Sequence, residues 1–404
     1  MNRRRSQLFL SIGLLLAAFF LLDPFDIIPQ RRVRRPGSDP ATVREAAEWY
    51  EREHREPDHY ILDRFEEDRI VIVGELGQVR QQISFMVDLV DVLPLADVYT
   101  IGFKHVLAED QEILDSLVDG EGDFDRRTAS DLLMRADVLN GYEEYVDVLQ
   151  QVHRLNASRD SGSPAMRVVA LAPQFRYDLV ETREDMNDLN ILRRVVGDIT
   201  PDEFMADVFE REVLDNGEKA IVFTTLPHAF RAYDAPHFVE EMEQLGFDNP
   251  KPFGRLVDER TEGGVTTVLL HGPWPDEQRP SNLNYAADGY IDSMLEEVPS
   301  QLRYGGFDVE AGTPPGAFRV SIGQWAEYHD ELRLADLTDG YITLGPIGAY
   351  RAARVIPDFY TQDTLEYARR NFPGPTEDEL TTDQLQEYLR GSADSFGQWI
   401  GEFQ

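Results

Sequence analysis

The stretch of residues 69–111 constrains the fold more than any other part of the chain. Its pattern predicts a buried strand over residues 70–73, a Gly-Glu turn, an amphipathic helix over 79–93 and a second short strand over 98–103. A short β-branched run closed by glycine is typical of a central parallel strand. The three elements form a β-α-β unit, which places Glu75 at the carboxyl end of the first strand, where open α/β sheets bind their ligands.

The same alternation of strands and helices continues along the chain. Further apolar strands are predicted over residues 166–171, 219–224, 265–270 and 341–344. The sequence contains no P-loop, no G-x-G-x-x-G motif after a strand and no G-x-S-x-G elbow. Strands that alternate with helices indicate an α/β fold with a largely parallel central sheet flanked by helices.

The length of 404 residues suits one large α/β domain with additions. We expect four regions. They are a membrane anchor over residues 1–30, a juxtamembrane linker and helix over 31–59, an α/β core over 60–280 and a C-terminal elaboration over 281–404 that packs on the core.

The N-terminus carries an apolar segment, residues 8–22, directly after the arginines at positions 3–5. The segment is long for the core of a signal peptide and short for a full membrane span. Because no small-residue cleavage site precedes Asp23, we expect an uncleaved signal anchor, and a removed signal peptide is the alternative. This predicts a single-pass protein at the cell membrane with its body outside the cytoplasm. A second arginine cluster over 31–35 places positive charge on both flanks, so the positive-inside rule alone does not fix this orientation.

The charge of the chain limits its partners. The formal net charge is -36, and lysine occurs only as Lys104, Lys219 and Lys251. Such a surface repels the phosphate backbone, which excludes nucleic acid as a partner. An acidic, lysine-poor and cysteine-free composition is typical of proteins in high salt, so we expect a halophilic source, the alternative being a merely acidic protein.

Polar side chains follow four of the predicted strands: Glu75, His105, His228 and His271. Because the carboxyl ends of parallel strands meet at one edge of a sheet, we expect these four in one crevice. Carboxylate and imidazole groups suit general acid-base catalysis, or ligation of a divalent metal that keeps one position open for water. Lys104 lies beside His105, and a lysine there can pair with Glu75 and silence it.

Tyrosines in the C-terminal region offer a different chemistry, because a phenolate can bind the iron of haem. They are Tyr341, Tyr350, Tyr360 and Tyr367. The alternative is that they are half-buried aromatic residues of the core. The candidate ligand-binding residues of the chain are therefore Lys104, His105, His271 and Tyr341.

Several segments together resemble the ChaN-like, haem-binding-uptake branch of the Tiki and erythromycin-esterase superfamily. They are residues 71–82, 101–118, 167–171, 202–230 and 268–274, in the order of the family. The family pattern has a Gly-Glu turn followed by histidine, a glutamate after the second strand, an arginine before a Met-Ala pair, and a later glycine-and-histidine motif. Glu75 and His228 match this pattern.

The sequence departs from that pattern at the other positions. Gly77 and Gln78 stand where the first histidine is expected, Lys104 where the glutamate is, and Pro201 where the arginine is. The later motif is interrupted by two residues, Thr225 and Pro227. An imidazole has been lost and a carboxylate exchanged for an ammonium, which changes the local charge by about two units and weakens a metal site.

The resemblance therefore implies the fold of the family and a catalytically degenerate binding protein whose crevice holds haem or another small ligand. The alternative that it implies is a metal-assisted or acid-base hydrolase with Glu75 and His228 as catalytic residues.

Overall fold

A computed structural model describes residues 38–182, 185–275, 283–321, 331–372 and 380–403. The predicted membrane anchor lies outside these ranges. Within them, every helix is too short or too polar to cross a membrane.

A mostly parallel sheet forms the centre of the molecule, and this confirms the predicted α/β class. Its strands are β1 (Ile70–Glu75), β2 (Thr100–Leu107), β3 (Arg167–Ala172), β4 (Ala220–Thr225), β5 (Val265–Leu270), β8 (Tyr304–Asp308) and β9 (Gly340–Leu344). They run in the order β3-β2-β4-β1-β5-β9-β8, and only β8 pairs antiparallel. A separate antiparallel pair is formed by β6 (Trp274–Pro275) and β7 (Leu283–Asn284).

The register of the central strands aligns their carboxyl ends. On β1 and β4, Glu75 pairs with Thr225, and on β2 and β4, Phe103 pairs with Phe223. All six residues of β1 are buried, because it lies between β4 and β5 at the centre of the sheet. The ends of β1, β4 and β2 therefore form one edge, as the strand pattern predicts.

Helices flank the sheet. They are α1 (Pro40–Glu53), α2 (Pro57–Glu67), α3 (Arg80–Val92), α4 (Gln111–Val118), α5 (Arg126–Ala136), α6 (Glu143–Ser158), α7 (Leu189–Val196), α8 (Pro201–Phe209), α9 (Leu226–Ala229), α10 (Pro236–Gln244), α11 (Phe253–Thr261), α12 (Tyr290–Glu297), α13 (Leu334–Leu337), α14 (Leu365–Asn371) and α15 (Thr382–Ile400). A π-helical turn, Glu210–Leu214, continues α8.

The cap at the start of α8 fixes the position of Asp202. Thr200 and Glu203 form a capping box, in which each side chain accepts the backbone N–H of the other residue at 3.1 and 2.8 Å. Pro201 takes the first helical position, where its missing N–H costs nothing. This cap holds Asp202 in the first turn, fully buried.

The C-terminal region joins the sheet through β8 and β9. Two of its glycines, Gly306 and Gly340, leave room for the ring of Tyr60 on α2, since a Cβ there would lie 2.3 and 2.1 Å from Tyr60 atoms. The pattern predicts β9 but misses β8, because its Gly-Gly pair has low strand propensity. Strands from both sides of residue 280 share this sheet, and the domain boundary placed there stays a prediction.

Candidate functional site

Glu75, at the end of β1, is enclosed by hydrogen bonds. Its side chain is fully buried, and its Oε1 accepts the hydroxyl of Tyr145 on α6 at 2.9 Å. Its Oε2 accepts the backbone N–H of Gly77. The Nε2 of His105 lies 3.4 Å from Oε1. Because Glu75 is fully buried, neither of its oxygens faces solvent.

His105 is held by groups on both sides of its ring. Its Nδ1 accepts the amide of Asn140 at 2.8 Å, which leaves the ring proton on Nε2, facing Glu75. The ring packs on Tyr145 with centroids 4.0 Å apart. Burial lowers the pKa of His105, although Glu75 acts in the opposite direction, so the imidazole is neutral at pH 7.

His228, on α9, forms a second carboxylate-imidazole pair with Asp202. Asp202 Oδ1 accepts from His228 Nδ1 at 2.7 Å and from the backbone N–H of Phe253 at 2.7 Å. The ring proton is therefore on Nδ1, and the Nε2 lone pair is free. Burial lowers the pKa of His228 and Lys104 lowers it further, against the effect of Asp202, so this imidazole too is neutral at pH 7.

Lys104 lies between the two pairs. It is 8% exposed, and its Nζ donates to Thr225 Oγ1 at 2.9 Å. Burial lowers the pKa of Lys104 to about 8, against the attraction of Asp202, Glu75 and Asp137. The expected direct pairing of Lys104 with Glu75 is wrong, because Lys104 forms no ion pair with any carboxylate in the described ranges.

A pocket of about 20 Å³, which has room for about one water molecule, is lined in part by Asp137. Its wall includes Arg135, Asp137, Phe175, Tyr177 and Asn371. Burial raises the pKa of Asp137 to about 6, although the backbone N–H of Leu139 donates to it at 2.9 Å. Asp137 thus belongs both to the pocket wall and to the charges around Lys104.

His271, which follows β5, forms its side-chain contacts with residues of the C-terminal region. Its Nδ1 lies 3.0 Å from the hydroxyl of Tyr341, and its Nε2 lies 3.4 Å from Asp292 Oδ2. Both His271 and Tyr341 are fully buried. The contacts therefore link Glu75, Lys104, His105 and His228, whereas the side chain of His271 contacts Tyr341 and Asp292. The functional roles of these residues stay predictions.

Two observations concern the cofactors considered possible from the sequence, a divalent metal and haem bound by tyrosine. Among the described residues, no group of three or more histidine, aspartate and glutamate side chains is arranged to hold a metal ion. The four candidate haem tyrosines are engaged by His271, Leu344, Val138 and Arg135, respectively. Burial raises the pKa of each phenol, which opposes the phenolate that iron requires.

Sequence reasoning missed several members of the cluster. They are Asp137, Asn140, Tyr145, Asp202 and Thr225. The carboxylate of Asp202 sits within a helix-capping sequence, and Tyr145 occupies an apolar position of an amphipathic helix, so each pattern is explained without a site. Thr225 gives a usable signal, because it directly follows the strand predicted over residues 219–224 and precedes His228 by three residues.

No protein-family model matches the chain, and no curated protein matches it. Its fold is shared with a succinoglycan biosynthesis protein, at 9% identity and a TM-score of 0.51, covering 78% of this chain and 98% of that one. Similar structures also include erythromycin esterase EreC in its open conformation (13% identity, TM-score 0.45, 70% and 92% covered). Another is haem-bound ChaN of Campylobacter jejuni, at 11% identity and a TM-score of 0.32, covering 52% of this chain and 84% of that one. At 9% identity, the likeness to the succinoglycan biosynthesis protein concerns the fold alone.

Proposed function

We propose that this protein is a metal-independent acid-base hydrolase of small neutral esters. The observation that carries the proposal is the Asp202–His228 pair, with 2.7 Å between Oδ1 and Nδ1, beside the amine of Lys104. A neutral imidazole whose Nδ1–H is held by a carboxylate is a general base at Nε2.

In this mechanism, His228 Nε2 takes a proton from water as the water adds to the ester carbonyl. Asp202 stabilises the imidazolium that forms. Lys104 is protonated at pH 7, since its pKa is about 8, and its ammonium stabilises the developing oxyanion and gives a proton to the departing alcohol. The imidazolium of His228 then loses its proton to solvent and the Lys104 amine takes one up, so that both groups are restored.

Glu75 acts in this proposal as a positioning residue. Its oxygens are occupied by Tyr145, Gly77 and His105, so it holds His105 in place as one wall of the site. Of the two catalytic residues that the family resemblance implies, Glu75 and His228, the proposal keeps only His228 as catalytic.

The charges of the site favour a neutral substrate. Two buried carboxylates, Glu75 and Asp202, surround the one ammonium of Lys104, so an anionic molecule would meet net negative charge.

The test is hydrolysis of p-nitrophenyl acetate and longer acyl esters by the full-length protein, with and without EDTA. We expect turnover that EDTA does not change, and a fall in kcat/KM of roughly 100-fold or more in His228→Asn. The matched control is His59→Asn, an exposed histidine of α2, which should keep wild-type activity. Turnover that depends on a metal, or that survives His228→Asn, would overturn the proposal.

The second candidate is retention of a small ligand, haem included, without turnover. The enclosure of Glu75 favours it, because the carboxylate that matches the family motif cannot reach a substrate without leaving Tyr145. This candidate predicts no ester hydrolysis and saturable binding, seen for haem as a Soret band on titration. Haem titration without a Soret band would remove haem as the ligand.

We also propose that residues 8–22 anchor the protein in the cell membrane with its body outside the cytoplasm. The motivation is the apolar segment behind three arginines. Cell fractionation followed by external protease should leave the protein in the membrane and degrade its body. A full-length protein in the cytosolic fraction would contradict the proposal.

A further inference from the structure

Thr225 stands where a nucleophile of this crevice would have to be. It is the last residue of β4, and α9 begins directly after it, so its hydroxyl lies at the sheet edge level with Glu75. Thr225 is partly exposed, whereas its neighbour Thr224 is 1% exposed. A hydroxyl at a strand-to-helix turn is accessible and can attack a bound ligand. A hydroxyl inside the strand is not accessible in this way.

The amine of Lys104 is the hydrogen-bond partner of that hydroxyl, at 2.9 Å. The other two lysines have different surroundings. Lys251 donates to both carboxylate oxygens of Glu259, at 2.7 and 2.8 Å, and Lys219 donates to two backbone carbonyls. Among the lysines, all of which the structure describes, Lys104 alone is placed against a hydroxyl. A buried amine beside a hydroxyl is the arrangement by which serine-lysine and related enzymes activate their nucleophile.

We infer that Thr225 is a nucleophile activated by Lys104, and that esters are hydrolysed through a covalent acyl-threonine intermediate. This inference rests on the proposed hydrolase function and replaces direct attack by water with two successive acyl transfers. It gives Lys104 the role of general base and leaves His228 to activate water in the second step.

The first transfer begins with neutral Lys104. Its Nζ takes the proton of the Thr225 hydroxyl while Oγ1 bonds to the ester carbonyl carbon. The tetrahedral intermediate then breaks its bond to the alcohol oxygen, and Lys104 returns the proton to that oxygen. The products of this step are a free alcohol and an ester on Thr225. Burial of Lys104, which lowers its pKa to about 8, makes the neutral amine accessible near physiological pH.

The second transfer uses His228 and one water molecule. His228 Nε2 takes a proton from water as the water oxygen bonds to the acyl carbon. The bond from that carbon to Thr225 Oγ1 breaks, and the proton passes from the imidazolium to the threonine oxygen. Ester and water have then become acid and alcohol, and Thr225, Lys104 and His228 are restored.

The direct experiment is covalent labelling with an alkyl fluorophosphonate, which reacts with activated hydroxyls, followed by peptide mass spectrometry. We expect one label, on Thr225, and its loss in Thr225→Val and in Lys104→Met. The matched control is Thr224→Val, which removes the neighbouring buried hydroxyl and should keep the label. Thermal unfolding of each variant confirms that it is folded. A folded wild-type protein without a label on Thr225 overturns the inference.

The pH dependence of kcat/KM separates the two mechanisms. If Lys104 is the base for Thr225, kcat/KM rises with pH through about 8 and reaches a plateau as the amine loses its proton. If Lys104 acts only as an ammonium beside attacking water, kcat/KM falls above about 8. Burial lowers the pKa of Lys104 to this value, and the charges of Asp202, Glu75 and Asp137 oppose the shift, while His105 and His228 are neutral over this range.

Hydrolysis itself tells the two proposals apart. If the wild-type protein hydrolyses esters and Thr225→Val does so at an equal rate, the covalent route is wrong and the hydrolase proposal stands. A fall of roughly 100-fold or more in Thr225→Val, with the label on Thr225, supports both. If the wild-type protein hydrolyses no ester, the hydrolase proposal fails, and the label alone decides whether Thr225 is activated.

Discussion

One oxygen of Asp202 joins three helices, because it accepts from Nδ1 of His228 at 2.7 Å and from the backbone N–H of Phe253 at 2.7 Å. Asp202 lies on α8, His228 on α9 and Phe253 at the start of α11. The same carboxylate that orients the proposed base therefore also fastens the helices around it. Stability and activity are coupled at this residue.

The first prediction concerns that coupling. Asp202→Ala leaves two buried donors without an acceptor, and we expect the free energy of unfolding to fall by about 2–4 kcal/mol. Asp202→Asn keeps an acceptor oxygen in place and should lose less. The control is Asp207→Ala, which removes an exposed carboxylate of the same helix and should cost under about 1 kcal/mol. Urea denaturation measures all three, and equal losses in Asp202→Ala and Asp207→Ala would contradict the prediction.

The second prediction concerns the buried ammonium of Lys104. Its pKa of about 8 in the folded state lies below the usual 10.5, so the unfolded chain binds more protons between these values. Stability from this group therefore rises as pH increases from 8 to 10.5, and at pH 7 the buried charge is a cost.

Lys104→Met removes this charge while keeping the length of the side chain. We expect the variant to be more stable than wild type at pH 7 by about 2 kcal/mol, and the difference to shrink as pH rises through 8 to 10. Denaturation of both proteins at several pH values measures it. A variant that is less stable than wild type at pH 7 would show that attraction to Asp202 and Glu75 outweighs burial.

Much of the fold could be predicted because the central strands carry their own signal. The strands at 70, 220 and 265 are short β-branched runs, and burial on both faces is what makes such runs apolar throughout. The edge strand β8 carries no such signal, since its glycines make room for distant side chains, Gly305 for Tyr50 and Gly306 for Tyr60. That requirement comes from packing between distant segments, which no local pattern contains.

The site was predictable to the same depth. The predicted strand ends place Glu75, Lys104, His105 and His228 at one edge of the sheet. The register of β1, β2 and β4 agrees with this placement. Side-chain direction was not predictable, and His271 shows why: its ring lies against Tyr341 and Asp292, on later elements whose positions depend on the assembled sheet. Asp202 was not predicted as a site residue, because a carboxylate in the first turn of a helix is already explained by its favourable interaction with the helix dipole.

The third prediction concerns Asp137. Its pKa of about 6 is raised above 3.8, so the folded state binds more protons between these values and stability from this group falls as pH rises from 4 to 6. Asp137→Asn should therefore be more stable than wild type at pH 7, by about 1–2 kcal/mol, with little difference at pH 4.

Asp178 supplies the control for Asp137. The hydrogen bond from Arg176 lowers the pKa of Asp178, so its ionised form is favoured in the folded state. Asp178→Asn should lose stability slightly at pH 7 rather than gain it. Thermal unfolding at pH 4 and pH 7 tests both variants, and a gain for Asp178→Asn equal to that for Asp137→Asn would rule out burial as the cause.

The fourth prediction tests how the C-terminal strands are held. A Cβ at Gly340 would lie 2.1 Å from the hydroxyl oxygen of Tyr60 and 2.9 Å from the adjacent ring carbon. Gly340→Ala should therefore destabilise the protein by roughly 2–3 kcal/mol, because ring and strand must separate. Gly312→Ala is the control: nothing lies within 4 Å of a Cβ there, and its cost should be near zero.

A second substitution identifies the clash. Tyr60→Phe alone removes the hydroxyl that donates to Asp308 at 2.9 Å and should cost about 1 kcal/mol. In the Gly340→Ala background it also removes the atom that the new Cβ would meet first, so its cost should vanish or become a gain. Urea denaturation of the two single variants and the double variant gives the coupling energy. Strict additivity would mean that Gly340→Ala acts through the conformation of β9 rather than through Tyr60.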